Sequence, residues 1–180
     1  MMHMFLHSKV DKLVRLWVHE IGRVFTDRLG KSNDQMKVFK HLPYACRNFI
    51  KEDFANSLKS CLTKQELELG THVENAISLM TESIRFTDLF DSSKKVDSRE
   101  YDEVSHEKYP ELLAKLNSSL KEGYNMVSTK PMDLVLFDFA VTHILRITRV
   151  LKISKGNLLL IGLGGSGRTS LSVLSAYLME

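Results

Sequence analysis

Leu158-Leu159-Leu160-Ile161-Gly162-Leu163-Gly164-Gly165-Ser166-Gly167-Arg168-Thr169-Ser170 reads as an apolar strand, a glycine-rich loop and the start of a helix. This is the layout of a phosphate-binding P-loop, whose pattern is G-x-x-x-x-G-K-[ST]. Gly162, Gly167 and Thr169 fit that pattern, and Arg168 stands where the lysine belongs. Glycines permit positive φ and close approach of backbone to ligand. Successive N–H groups in such a loop form a concave nest for anions. The helix expected from Arg168 to Met179 adds the positive end of its dipole.

The chemistry follows from the residue types. In a P-loop the cationic side chain reaches the outer phosphates and the hydroxyl ligates magnesium. The expected cofactor is therefore ATP or ADP with Mg2+. The expected binding residues are Gly162, Leu163, Gly164, Gly165, Ser166, Gly167, Arg168, Thr169 and Ser170. Thr169 is the magnesium ligand in this reading, and Ser170 is a neighbour that caps the helix or stands by. A planar guanidinium does not replace a compact ammonium without consequence. It still grips phosphate oxygens in a bidentate way, so binding is expected to survive the exchange more readily than hydrolysis. The competing reading is a glycine-rich turn with no ligand, and the four glycines between 162 and 167 weigh against it.

Hydrolysis also needs a carboxylate on a second strand. In P-loop proteins that strand follows the loop in sequence, whereas Asp133 and Asp138 precede it within a helical pattern. A complete kinase or GTPase is therefore not expected within these 180 residues, and no catalytic residue is assigned.

Composition is that of a globular protein, with 43% hydrophobic and 26% charged residues. The net charge of +3 is too small to argue for nucleic acid. Its distribution is uneven: residues 1–64 carry +6, residues 65–125 carry −6 and residues 126–180 carry +3. The acidic middle reads as a solvated face. Cys46 and Cys61 have no metal-ligand spacing and read as free thiols in a reducing compartment. The N-terminus lacks the layout of a signal peptide, and no run is apolar enough to suggest a membrane span. The cytosol, or a structure continuous with it, is the expected location.

Periodicity makes most of the chain helical. Val10, Leu13, Val14, Trp17, Val18, Ile21, Val24 and Phe25 mark one face of a helix from Phe5 to Leu29. Lys12, Arg15, His19 and Arg23 fall on the other face, and Gly30 is the expected C-terminal cap. His19 beside Glu20 has no partner set for acid–base chemistry and reads as a surface or packing histidine. Asn33 or Asp34 is the expected cap of a helix through Phe39, with Pro43 as an interruption. Phe49, Phe54, Leu58 and Leu62 suggest further packed surface, and Leu67, Leu69, Ile77, Leu79 and Met80 a short helix or irregular segment. Residues 91–99 read as an exposed polar loop. Pro110 opens a helix to Tyr124 with Leu112, Leu113, Leu116 and Leu120 on its apolar face. Asn125 to Pro131 is a loop. Residues 133–152 are expected as one helix with Phe137, Ala140, Val141, Ile144, Leu145, Thr148 and Leu151 on its apolar face.

The stretches Pro131-Met132-Asp133-Leu134-Val135-Leu136-Phe137, His143 to Leu151 and Gly156 to Arg168 together resemble a dynein heavy chain. They are similar to the entry of the fourth AAA+ module of the motor ring, and the Gly-Gly-Ser-Gly-Arg loop is similar to the axonemal, ciliary branch. Arg15-Leu16-Trp17-Val18-His19-Glu20 and Arg23 to Leu29 resemble the C-terminal helical lid of the third module. The resemblance covers nearly the whole chain. It implies a lid at 1–64, an acidic helical connector at 65–125 and the start of the next module at 126–180. The implied fold is mainly α with a partial α/β P-loop element, an incomplete domain.

By the same resemblance, Gly162 to Gly167 wrap the phosphates, Arg168 contacts them, Thr169 ligates magnesium, and Leu134 and Val135 form the adenine-side wall. Related axonemal loops often carry Gln after the Arg, whereas Thr169 supplies a hydroxyl. The implied family role is ATP-dependent movement on microtubules in cilia. The implied partners are other ring modules or dynein subunits, with microtubules reached only through a full-length heavy chain, and with no nucleic acid or membrane. The implied locations are cytoplasm, cytoskeleton and axoneme. The family is a motor ATPase, but this chain alone is not expected to be catalytically competent. The rival expectations are a noncatalytic protein that associates with ring modules and a product without a stable fold of its own.

Overall fold

A computed structural model describes residues 2–58, 84–91 and 94–180. Cys61, Leu62, Leu67, Leu69, Ile77, Leu79, Met80, Ser92 and Ser93 lie outside the described residues. The chain divides into two compact units, Met1–Arg85 and Phe86–Glu180.

The first unit is helical. Helix α1 spans Met2–Ile21 and widens into a last turn of i→i−5 hydrogen bonding, Gly22–Thr26. Asp27 N–H closes that turn on Gly22 O at 3.1 Å. Gly30 is therefore not the cap expected of it, and its φ is not positive. Helix α2 spans Ser32–Ala45 behind Lys31 at the N-cap, so neither Asn33 nor Asp34 is the cap. Pro43 lies inside α2 rather than interrupting it. A proline removes one backbone donor but its fixed φ is helical, and here the break falls further on. A wide turn follows at Cys46–Ile50, and the chain leaves it at Lys51 in the left-handed region, φ 66°. Helix α3 is short, Phe54–Leu58.

The buried face of α1 is turned away from the one its apolar spacing predicts. Val14 and Val18 are buried as expected, but Leu13, Val24 and Phe25 are more than half exposed. Arg15, expected on the outer face, is buried instead, and His19 is buried as a packing histidine, one of the two readings given to it. The reason lies in partners distant in sequence. Arg15 Nη1 donates to Ser57 O at 3.1 Å, and Ser57 Oγ donates to Asp11 Oδ1 at 2.9 Å, joining α1 to α3. His19 Nδ1 lies 3.2 Å from Ile84 O. Buried polar groups are tolerated when hydrogen-bonded in this way. Cys46 is a buried free thiol. Burial, with help from the nearby Glu52 and Asp53 carboxylates, pushes its pKa up.

The second unit opens with a short antiparallel pair, β1 (Phe86–Thr87) and β2 (Asp102–Glu103), with Phe86 opposite Glu103 and Thr87 opposite Asp102. The intervening residues make two 3-10 turns, Leu89–Asp91 and Val96–Ser98. Most of the described part of this loop is exposed as expected, but Arg99 is buried. Helix α4 spans Tyr109–Ser118 with Pro110 in its first turn. It continues through a wide turn, Ser119–Tyr124, and a last α turn, Asn125–Val127, where a loop was expected.

Helix α5 spans Asp138–Lys152 and is shorter than the expected 133–152. Phe137 is extended, φ −89° and ψ 166°, and Asp138 supplies the first-turn carboxylate that favours a helix N-terminus. Helix α6 spans Arg168–Leu178. Leu112, Leu116 and Leu120 of α4 and its extension meet Val141, Ile144 and Leu145 of α5 and Leu174 of α6 in one core. Full burial of each such side chain is worth about 1.5–3 kcal/mol.

Leu158–Ile161 is not the strand expected. Among the described residues the only ladder is β1–β2, and Leu159 and Ile161 are 81% and 84% exposed. A strand exists by pairing, and no described segment makes a ladder with this one.

Candidate functional site

The sequence after Ile161 folds as a tight loop running into α6. Ser166 N–H donates to Leu163 O at 3.3 Å, closing a turn across Gly164 and Gly165. Gly165 and Gly167 have φ of 78° and 76°, a region that other residues enter at a cost. A side chain at either glycine would meet nothing within 4 Å, so the loop faces open space. Gly167 is the N-cap of α6 and provides no side-chain cap. The N–H groups of Arg168, Thr169 and Ser170 are first-turn donors, which have no partner within their own helix. An anion is the natural complement of such a helix start.

Arg168 is half-buried, and its Nη2 donates back to Leu163 O at 3.1 Å. Leu163 O thus accepts both the Ser166 N–H and the Arg168 guanidinium. The guanidinium braces the turn and keeps further donors for a phosphate. Thr169 is exposed and Ser170 is half-buried.

Beside this loop lies a cavity of about 350 Å3. One wall is the extended segment Leu134–Phe137 with Phe139, Ala140, His143 and Ile147 of α5. The other is Leu160, Ile161, Gly162, Ser166, Gly167, Arg168 and Leu171. Of the expected site residues, Gly162, Ser166, Gly167 and Arg168 line the cavity together with Leu134 and Val135. Leu163, Gly164, Gly165, Thr169 and Ser170 do not line it. The early end of α5 is what brings Leu134 and Val135 to the wall, because they are extended rather than wound into a helix.

Sequence reasoning missed Phe139, His143 and Leu171 as lining residues. Phe139 meets His143 edge-on, with ring centroids 4.3 Å apart, and stacks with Phe137 at 6.4 Å. The i, i+4 spacing of Phe139 and His143 was a usable signal. Phe137 and Phe139 are 59% and 63% exposed, so this aromatic wall is open. Within the lining, polar side chains come only from His143, Ser166 and Arg168. The combination is an apolar, aromatic wall leading to a loop suited to an anion, which suits a nucleoside phosphate. No group of three or more His, Cys, Asp or Glu side chains suited to a metal occurs among the described residues.

Comparison with known proteins agrees with that geometry. Residues 132–180 match the family described as P-loop containing dynein motor region D4. That range holds every residue lining the cavity. Over 172 residues, 94% of the chain, the sequence is 40% identical to dynein axonemal heavy chain 3 of Homo sapiens. It is 38% identical to dynein axonemal heavy chain 3 of Mus musculus over 94% of the chain. It is 37% identical to dynein axonemal heavy chain 12 of Rattus norvegicus over 93%. The chain is homologous to axonemal dynein heavy chains. It spans about 4% of the length of the heavy chain 3 relatives and 5% of the heavy chain 12 relative. The dynein homology therefore extends beyond the P-loop region to nearly all of the chain, including residues of the first unit. Among the described residues no helix is long and apolar enough to cross a membrane.

Proposed function

We propose that this chain is a segment of an axonemal dynein motor ring that binds ATP or ADP with Mg2+ at residues 162–170. The observation that carries the reading is the continuity of the cavity, from the Leu134–Phe137 wall to Gly162, Gly167 and Arg168. In this reading the N–H groups from Gly164 to Ser170 receive the phosphates, Arg168 adds charge, and Thr169 ligates magnesium. The base lies against Leu134 and Val135. Mg2+ held there would supply neutralisation of the phosphate charge. The cavity lining carries no carboxylate among the described residues, so the proposed activity is binding, not hydrolysis by this chain alone.

Residues 1–64 then belong to the helical lid of the preceding module, 65–125 to the connector and 126–180 to the start of the next. The partners are other ring modules or dynein subunits, and microtubules are met only through a full-length heavy chain. The place of action is the ciliary axoneme. A second reading is favoured by the exposed Leu159, Ile161 and Leu163. It is a noncatalytic role in which this edge docks onto dynein ring modules.

Thermal unfolding with and without magnesium–ATP tests the first reading. A ligand at a hundred times its dissociation constant adds about 2.7 kcal/mol to the folded state. The expected result is a clear upward shift in Tm that Thr169→Ala reduces. A cooperative melt that ATP leaves unmoved removes the nucleotide reading and leaves the docking one.

A further inference from the structure

Helices α5 and α6 line the cavity mainly with their N-terminal halves, through Phe139, His143, Arg168 and Leu171, with Ile147 further along α5. Their C-terminal ends are held by the same element, the β1–β2 hairpin with its loop. At the end of α6, Leu178 O accepts from Arg99 Nη1 at 2.8 Å. At the end of α5, Lys152 Nζ donates to Asp88 Oδ2 at 2.7 Å and to Arg99 O at 3.0 Å. Arg149 lies over the Tyr101 ring at 4.7 Å. Arg99 is braced within its own loop by Nε donating to Lys94 O at 3.0 Å.

These bonds are not surface decoration. Asp88 and Arg99 are both buried, and the Asp88 side chain is only 4% exposed. Arg99 bonds α6 with its guanidinium and α5 with its carbonyl, so the two helix ends are tied through one residue. A change in the angle or spacing of α6 relative to α5 must strain this tie.

We infer that Arg99 is a positioning residue for the phosphate loop and that the 86–103 hairpin senses whether the loop is occupied. The inference rests on the nucleotide reading above. Phosphate binding restrains the N-terminus of α6. That restraint passes along a helix of 11 residues to Leu178 O and hence to Arg99. Linkage makes the effect reciprocal: whatever holds the hairpin in place tightens nucleotide binding by the same factor. The hairpin begins at Phe86, the first residue of the second unit. Loop occupancy is thereby coupled to the point where the preceding chain enters this unit.

Amide hydrogen exchange on the full 180-residue chain, with and without magnesium–ADP, tests this directly. The expected result is slower exchange at 162–171 and, together with it, at least about fivefold slower exchange in peptides covering 94–103. In Arg99→Met the slowing at 94–103 disappears and ADP affinity falls about fivefold, while Arg99→Lys restores part of both. Protection at 162–171 with none at 94–103 in the wild type overturns the inference and leaves the nucleotide reading intact. No protection at 162–171 overturns that reading, and the inference with it. If Arg99→Met fails to fold, the wild-type exchange pattern alone decides.

Discussion

Arg168 shows how one side chain alters a familiar loop. Its guanidinium reaches back to Leu163 O, so part of its hydrogen-bonding capacity is spent inside the loop. A lysine at 168 would supply a compact charge with three donors on a flexible stem. Arg168→Lys is therefore expected to keep or improve magnesium–ATP affinity, measured by calorimetric titration. A complete loss of binding would show that the planar fork itself is required. Arg15 and His19 teach a related lesson. Each looks like a solvent-facing residue by spacing, yet each is buried with a backbone carbonyl as partner. The decisive partners, Ser57 and Ile84, lie 42 and 65 residues away.

The helices were legible in the sequence, as were the start of α6 at Arg168 and the end of α5 at Lys152, but several other ends were not. Leu112, Leu116 and Leu120 announce α4, and Ala140, Val141, Ile144 and Leu145 announce α5, because a 3.6-residue repeat of apolar side chains needs only local information. The ends are set by competition between alternatives close in energy. Wide last turns replace the expected glycine cap after α1 and an abrupt stop after Pro43. The start of α5 at Asp138 frees Leu134 and Val135 for the cavity.

The most buried ion pair described between elements is Lys152 with Asp88. Removing one partner from a buried ion pair leaves an uncompensated charge and costs about 3 kcal/mol or more. Lys152→Met is expected to destabilise the protein by about that amount in urea denaturation. Adding Asp88→Asn is expected to recover much of the loss. Equal stability of the single variant and the wild type would mean the pair is not formed in solution.

On the scale of the whole molecule, the second unit carries a helical core and an exposed apolar segment outside any ladder. Leu159, Ile161 and Leu163 are each more than four-fifths exposed. Exposed apolar edges invite association. Leu159 does not line the cavity, so Leu159→Lys separates association from binding. It is expected to lower self-association in light scattering while leaving ATP affinity within about twofold, since a substitution away from a site is usually worth less than 0.5 kcal/mol. Unchanged association would place the sticky surface elsewhere.

The sequence by itself determined the chemistry of the loop, the apolar repeats of the helices and the kinship with dynein heavy chains. These depend on residue type and spacing, which are local properties. Only the tertiary structure decided which face of α1 is buried, that residues 158–161 form no ladder, and that Arg99 ties together two helix ends. Each of those depends on what lies opposite in space. A helix face is chosen by its neighbour, a strand exists only through its partner, and a buried arginine is stable only where carbonyls far along the chain converge on it.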